Sequence, residues 1–250
     1  MQEIISVNNN LVKETAKLLL KKYRDKENKF LLEGFKCVDE AFKAGLNIEH
    51  VFVLKDKVQK YSFLKDKLIS TNDAVLKKIS DADTAPEIVA VAQKRMFSIK
   101  DIKNAKKLVL LENIKDLGNL GTILRTSVAF GAEGMILFGS ECADIYNPKC
   151  VRSSVGNLCK IPFVYINSLD ALCENFKNFE KVATLPRSKI YLKDFKVTFP
   201  AMVMFGSEAD GLSDDLINFS TKQVKIEMNE NVESLNLSVS CAVVLYKLFL

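Results

Sequence analysis

The sequence predicts an α/β protein of two domains, with a parallel sheet in the second. Apolar stretches of strand length alternate with amphipathic stretches of helix length along the whole chain. A lysine-rich segment without periodicity, "KRMFSIKDIKNAK", interrupts that alternation near its middle. The basic excess lies entirely on one side of it, with 19 Lys and Arg against 14 Asp and Glu in residues 1–100, and 17 of each kind afterwards. The boundaries that follow are a first domain at 1–95, a linker at 96–106 and a second domain at 107–250. A basic module joined to a neutral one suggests that one half grips a polyanion while the other carries chemistry.

In order, "NLVKETAKLLLKKYRDKEN" reads as one helix, and "FKCVDEAFKAG" as a second that Gly45 closes as a C-cap. Strand "HVFVL" follows, and "SFLKDKLIS", "DAVLKKIS" and "EIVAVAQ" continue the alternation, giving a compact α/β module. Beyond the linker come strand "KLVLLENI", a helix at 119–130, strand "GMILFG", a polar loop and a short helix after Pro148. Strand "IPFVYI", helix "SLDALCENFK", strands "KVATLP" and "PAMVMFG", a helix from Ser213, strand "QVKIEM" and a helix from Ser234 complete the chain. Strands separated by helices imply a parallel sheet covered on both faces, with ligands expected beyond the strands' C-terminal ends.

Composition excludes several classes. With 250 residues, 48% of them hydrophobic, the chain can bury a substantial core. Its apolar runs fall short of a membrane span of about 20 residues, and its N-terminus lacks a basic segment followed by an apolar one, so a non-exported cytoplasmic protein is expected. The six cysteines form no CxxC pair and the single histidine, His50, has no partner at ligand spacing, which argues against zinc, a disulfide framework or a histidine triad. Neither GxGxxG nor a P-loop GK[ST] is present.

Three loops lie where strands of the second domain end: "NIKDLGNLG", "GSEADGLS" and "NENVESLNLS". Each places Gly, Asn, Ser or Glu directly after an apolar strand, the composition of a site built from backbone groups and short polar side chains. Gly118, Gly121, Gly206 and Gly211 would permit close backbone approach. Each loop also offers a helix cap, in Asn119, Ser213 and Ser234. Arg125 sits on a helix among Ile123, Leu124 and Val128, where it must either extend to solvent or meet an anion.

"NLGTILRTSVAFGAEGMILFG", "MFGSEADGLS" and "IEMNENVESLNLSVSCAVVLYKL" resemble, in order and spacing, the three signature motifs of the SpoU (TrmH-type) RNA 2'-O-ribose methyltransferases of the SPOUT superfamily. The first half, around "FLLEGFKCVDEAFKAG", resembles that family's substrate-binding module with a ribosomal-protein-like α/β fold. The resemblance implies a C-terminal SPOUT domain with a deep trefoil knot, S-adenosylmethionine as cofactor, ribosomal RNA as substrate, no metal and a homodimer to which the final helix contributes. By position, it implies that Gly206, Ile226, Leu235, Thr184 and Leu185 line the cofactor pocket, and that Asn119, Arg125, Glu208, Ser234 and Asn236 carry the chemistry. Leu117, Ala209 and Glu227 depart from the motifs, standing where proline, glycine and proline are common.

A guanidinium stays charged at any ordinary pH, so Arg125 is better suited to binding a phosphate or stabilising a developing alkoxide than to acting as a base. Glu208 could orient Arg125 or Asn119. Lys17, Lys21, Lys22, Arg24, Lys26 and Lys29 are candidate phosphate contacts. Two alternatives stay open: a catalytically silent RNA-binding or ribosome-assembly factor, and an enzyme acting on tRNA or on a base.

Overall fold

The computed structural model describes all 250 residues, which divide into two compact units: Met1–Arg95 with Asp144–Cys159, and Met96–Ala143 with Lys160–Leu250. In the first unit the order is β1 (Gln2–Glu3), α1 (Asn10–Lys17), α2 (Lys21–Glu27), β2 (Lys29–Glu33), α3 (Phe35–Lys43), β3 (Ile48–Leu54), an irregular 3₁₀ stretch (Lys55–Lys67), β4 (Leu68–Thr71), α4 (Asp73–Lys78) and β5 (Ile88–Gln93). The strands form a mixed sheet in the order β1-β4-β3-β5-β2. Val12, Leu31, Phe52, Ile69, Leu76 and Val89 fill the core on one of its faces.

The expected first helix is broken in two. Leu20, with extended φ/ψ of −98° and 131°, ends the pattern and becomes the N-cap position of α2. The break exposes carbonyls at the end of α1, and Arg24 satisfies them: Nη1 donates to Leu18 O at 2.9 Å and Leu19 O at 2.7 Å. The same guanidinium donates to Asp144 Oδ2 from Nε at 3.0 Å and Nη2 at 2.6 Å. Arg24 is therefore buried and structural, not a phosphate contact. Lys17, Lys21, Lys26 and Lys29 each pair with a neighbouring carboxylate, which also weakens their expected role.

The second unit begins with α5 (Ile99–Ile102), β6 (Lys107–Glu112), α6 (Leu117–Ala129) and β7 (Gly134–Phe138). The segment Asp144–Cys159, carrying α7 (Pro148–Ser154), packs within the first unit although its sequence lies between strands of the second. Arg152 from α7 donates to Glu33 Oε2 at 2.8 Å, a carboxylate that also accepts from Ser80 Oγ at 2.8 Å. Then follow β8 (Phe163–Ile166), α8 (Leu169–Asn175), β9 (Glu180–Thr184), β10 (Ala201–Phe205), α9 (Asp214–Phe219), β11 (Lys222–Val224) and α10 (Leu237–Phe249).

All six strands of this unit are parallel, in the order β11-β9-β10-β6-β7-β8. Every residue of β10 is buried, as a strand covered on both faces requires. Leu108, Leu110, Ile136, Met202 and Met204 pack one face against Leu172, Phe176 and Leu216. The segment read as a linker joins that core: Ile102 is fully buried in it and Phe97 stacks edge-on against Phe163 at 5.5 Å.

Candidate active site

Three loops leave the C-terminal ends of β9, β10 and β11 and enclose one cavity of about 700 Å³, a volume usual for a small-molecule site. Of the three loops expected from the sequence, "GSEADGLS" and "NENVESLNLS" line it, whereas no residue of "NIKDLGNLG" does. Strand β10 ends at Phe205 and the chain turns at once, Ser207 N donating to Gly211 O at 3.2 Å and Gly211 N to Ser207 O at 3.1 Å. Glycine is needed twice in this turn. Gly211 has φ +70°, and a Cβ on Gly206 would lie 1.9 Å from the Gly211 carbonyl carbon, so no side chain fits there.

The loop after β9 contributes Thr184 and Leu185 to the lining, and the loop after β11 contributes Ile226, Ser234, Leu235 and Asn236. The five residues expected to hold a cofactor thus border a single cavity. Phe205, Leu212, Val224 and Val244 line it from the buried side, while the exposed Glu208 and Asp210 line it from solvent.

A hydrogen-bond chain ties the polar residues together. Asn236 is the N-cap of α10, its Oδ1 accepting from Ser238 N at 2.9 Å, Ser238 Oγ at 2.6 Å and Val239 N at 3.3 Å. With Oδ1 committed, Asn236 Nδ2 donates to Asn119 Oδ1 at 3.2 Å, and Asn119 Nδ2 donates in turn to Glu208 Oε1 at 2.7 Å. Glu208 therefore orients Asn119, one of the two partners foreseen for it. The capping expectation is corrected at two helices: Asp116 caps α6 by accepting from Asn119 N, and Asn236 rather than Ser234 caps α10, whereas Ser213 does cap α9. Gly118 and Gly121 lie inside the first turns of α6, not in the turn leading to it.

Arg125 stands apart. It is exposed, makes no hydrogen bond or ion pair and does not border the cavity. Six residues beyond Asn119 on one helix, it lies about 120° around the axis and about 9 Å along it. Beneath the site, burial pushes the Cys241 thiol well up, with the nearby Glu208 carboxylate adding to the effect, so it remains a neutral packing group. Arg187 and Lys225 also line the cavity. Their position just past the ends of β9 and β11 was the signal that could have found them in the sequence.

The fold and the cavity are those of an α/β enzyme that holds a small molecule at the strand ends. Residues 106–246 match the SpoU rRNA methylase family and residues 9–90 match the MRM3-like substrate-binding domain; the chain belongs to the SpoU rRNA methylase family. Among its relatives is an uncharacterized tRNA/rRNA methyltransferase of Synechocystis sp., 33% identical over 98% of this chain and 92% of that one. Another is the 23S rRNA (guanosine(2553)-2'-O)-methyltransferase of Bacillus subtilis, 28% identical over 99% of both chains. The crystal structure of an AdoMet-bound rRNA methyltransferase from Sinorhizobium meliloti superposes with a TM-score of 0.87 at 26% identity, covering 98% of this chain and 96% of that one. No helix is long and apolar enough to cross a membrane.

Proposed function

We propose that this protein methylates a ribose 2'-hydroxyl of ribosomal RNA with S-adenosylmethionine as donor. The observation that carries this is the convergence of three strand-end loops on one cavity, with the Asn236–Asn119–Glu208 chain beside it. The cavity suits the donor chemically. Its buried apolar side would suit an adenosine, Gly206 leaves room for close backbone contact, and two carboxylates on the lining, Glu208 and Asp210, would complement the positive charge of a sulfonium. When bound, S-adenosylmethionine supplies the methyl group as an electrophile.

The protein's own residues hold the hydroxyl in line and take its proton. Positioning of this kind contributes up to about 7–11 kcal/mol in favourable cases. Only Oε1 of Glu208 is engaged, by Asn119, which leaves Oε2 to accept the ribose proton. Asn119, its amide fixed by Asn236, keeps that carboxylate in place, and Ser234 offers a hydroxyl to the ribose. Arg125 serves best as a phosphate contact, because an exposed, unpaired guanidinium outside the cavity suits the RNA backbone better than the reacting oxygen.

The first unit, matched by a substrate-binding domain, favours ribosomal RNA over tRNA, and a cytoplasmic enzyme is the reading we adopt. The exposed apolar stripe of Val239, Val243 and Tyr246 on α10, continued by Leu250 just past its end, supports a homodimer, and the return of α10 onto α6 and β10 is consistent with a knotted carboxyl end. The test is calorimetric titration with S-adenosylmethionine, then tritiated methyl transfer to ribosomal RNA and nucleoside analysis. Micromolar uptake and a 2'-O-methylated nucleoside are expected. No uptake would indicate the silent assembly factor, and a methylated base would indicate the other chemistry.

A further inference from the structure

One group of side chains at the cavity's edge takes no part in the network described above. Beyond Thr184 the chain runs alongside the strand β11 and its extension: Ser188 Oγ donates to Gln223 O at 2.8 Å, Lys225 N to Ile190 O at 2.9 Å, and Leu192 N to Lys225 O at 2.8 Å. This parallel pairing sets Tyr191 opposite Lys225, so their side chains leave the same face. Lys225 Nζ lies 4.6 Å from the centroid of the Tyr191 ring and Lys193 Nζ lies 5.2 Å from it. Lys193 is held by Glu227 at 2.6 Å, the residue that stands where the family motif commonly has proline.

Tyr191 is 37% exposed. It does not border the cavity, whereas Lys225 and the exposed, unpaired Arg187 do. A ligand filling the cavity alone would not reach Tyr191, but a chain crossing the mouth would. Lys193 and Lys225 lie over the ring, Arg187 and Lys189, both exposed, precede it in the chain, and Glu227 pairs with Lys193. A partly exposed aromatic ring carrying a flexible lysine is a combination that binds unpaired nucleotides: a base takes the place of the Lys225 ammonium over the ring, and the displaced cation moves onto the phosphate.

We infer that Tyr191 is a stacking platform for an unpaired nucleotide next to the target ribose, with Arg187 and Lys225 holding its flanking phosphates. This rests on the RNA methyltransferase function proposed above. Tyr191 would be a positioning residue, presenting the ribose to the cavity without touching the reacting atoms.

The test measures binding of a fluorescein-labelled, single-stranded 12-nucleotide RNA of mixed sequence to the full-length protein by anisotropy. Calorimetry with S-adenosylmethionine and light scattering run in parallel. Tyr191→Ala should weaken RNA binding about tenfold and Tyr191→Phe less than about twofold, since stacking uses the ring and not the hydroxyl. Arg187→Ala with Lys225→Ala should flatten the salt dependence by about two phosphate contacts. Cofactor affinity and molecular mass should be unchanged in Tyr191→Ala. Equal RNA affinity in Tyr191→Ala and the unaltered protein would overturn the inference. So would a parallel loss of cofactor affinity, which would give the ring to the cofactor, or a change of mass, which would give it to a protomer contact. An unaltered protein that takes up no S-adenosylmethionine would overturn the methyltransferase function itself, and the platform with it.

Discussion

Asn119 is the residue on which the polar network turns, because it alone touches both Glu208 and Asn236. Asn119→Ala removes two side-chain hydrogen bonds from a half-buried position and should cost about 1–2 kcal/mol of stability, yet lower methyl transfer by about two to three orders of magnitude, the range for losing a preorganised polar group. Unchanged cofactor affinity by calorimetry would separate this from damage to the cavity. Asn119→Asp replaces the donated hydrogen bond to Glu208 by a second carboxylate and should lower transfer at least as far as Asn119→Ala, since like charges facing each other are destabilising. Gly206→Ala works differently. Its Cβ would meet backbone at 1.9 Å, so uptake of S-adenosylmethionine should be lost and thermal stability should fall by about 1–3 kcal/mol. The glycines and short polar residues of the site were legible because strand ends are marked by the end of an apolar run. The caps were not, since Asp116, Asn119, Ser234 and Asn236 are all competent cap residues and only the backbone dihedrals choose among them.

At the scale of elements, periodicity found the strands and helices of the second unit from β6 onward, but missed β1, β2, α5 and the break between α1 and α2. Apolar residues continue across Leu18, Leu19 and Leu20, and the interruption is stabilised by Arg24, whose partner Asp144 is 120 residues away in sequence. No local pattern encodes such a pairing. Arg24→Ala should cost about 3–5 kcal/mol, the range for breaking a buried ion pair, measured by urea unfolding. Arg24→Met combined with Asp144→Leu should recover much of that loss, because no charge is then left buried. Strand β3 carries a second consequence. Burial holds the His50 imidazole below its ordinary pKa, with Thr15 Oγ1 at 3.3 Å from Nε2. The unfolded chain takes up this proton near pH 6.5, and the folded chain only at lower pH. His50 therefore contributes its full stability above about pH 6.5, and that contribution declines as pH falls through the interval below. Melting temperatures between pH 7.5 and 5.5 should fall more steeply for the unaltered protein than for His50→Gln. Equal slopes would show that the titration of His50 is not felt.

For the whole molecule, the alternation of strands and helices foretold a parallel sheet, and the sheet is parallel throughout. It could not foretell that residues 144–159 would pack with the first unit, because their local pattern, a polar loop and a Pro-initiated helix, is the same wherever they dock. The covering of α10 is equally invisible to periodicity, since its apolar residues are not confined to one side. Cys241, Val244, Leu245 and Leu248 are buried, while Val239, Val243, Tyr246 and Leu250 are exposed. The exposed set recurs at intervals of four, three and four residues, one continuous stripe on the helix and the residue just past its end. Contiguous exposed apolar area of this kind marks an association surface, and self-association is the partner that a two-fold interface would need. The Phe130 ring packs against Tyr246 at 5.7 Å, which extends the stripe onto α6. Val243→Asp would place a charge at its centre without touching a buried residue or the cavity lining. Light scattering should report a mass near 56 kDa for the unaltered protein, twice the 28.1 kDa chain, and a single-chain mass for Val243→Asp with an unchanged melting profile of its sheet. A single-chain mass for both proteins would leave the stripe without a second copy, and a dimeric Val243→Asp would put the protomer contact elsewhere.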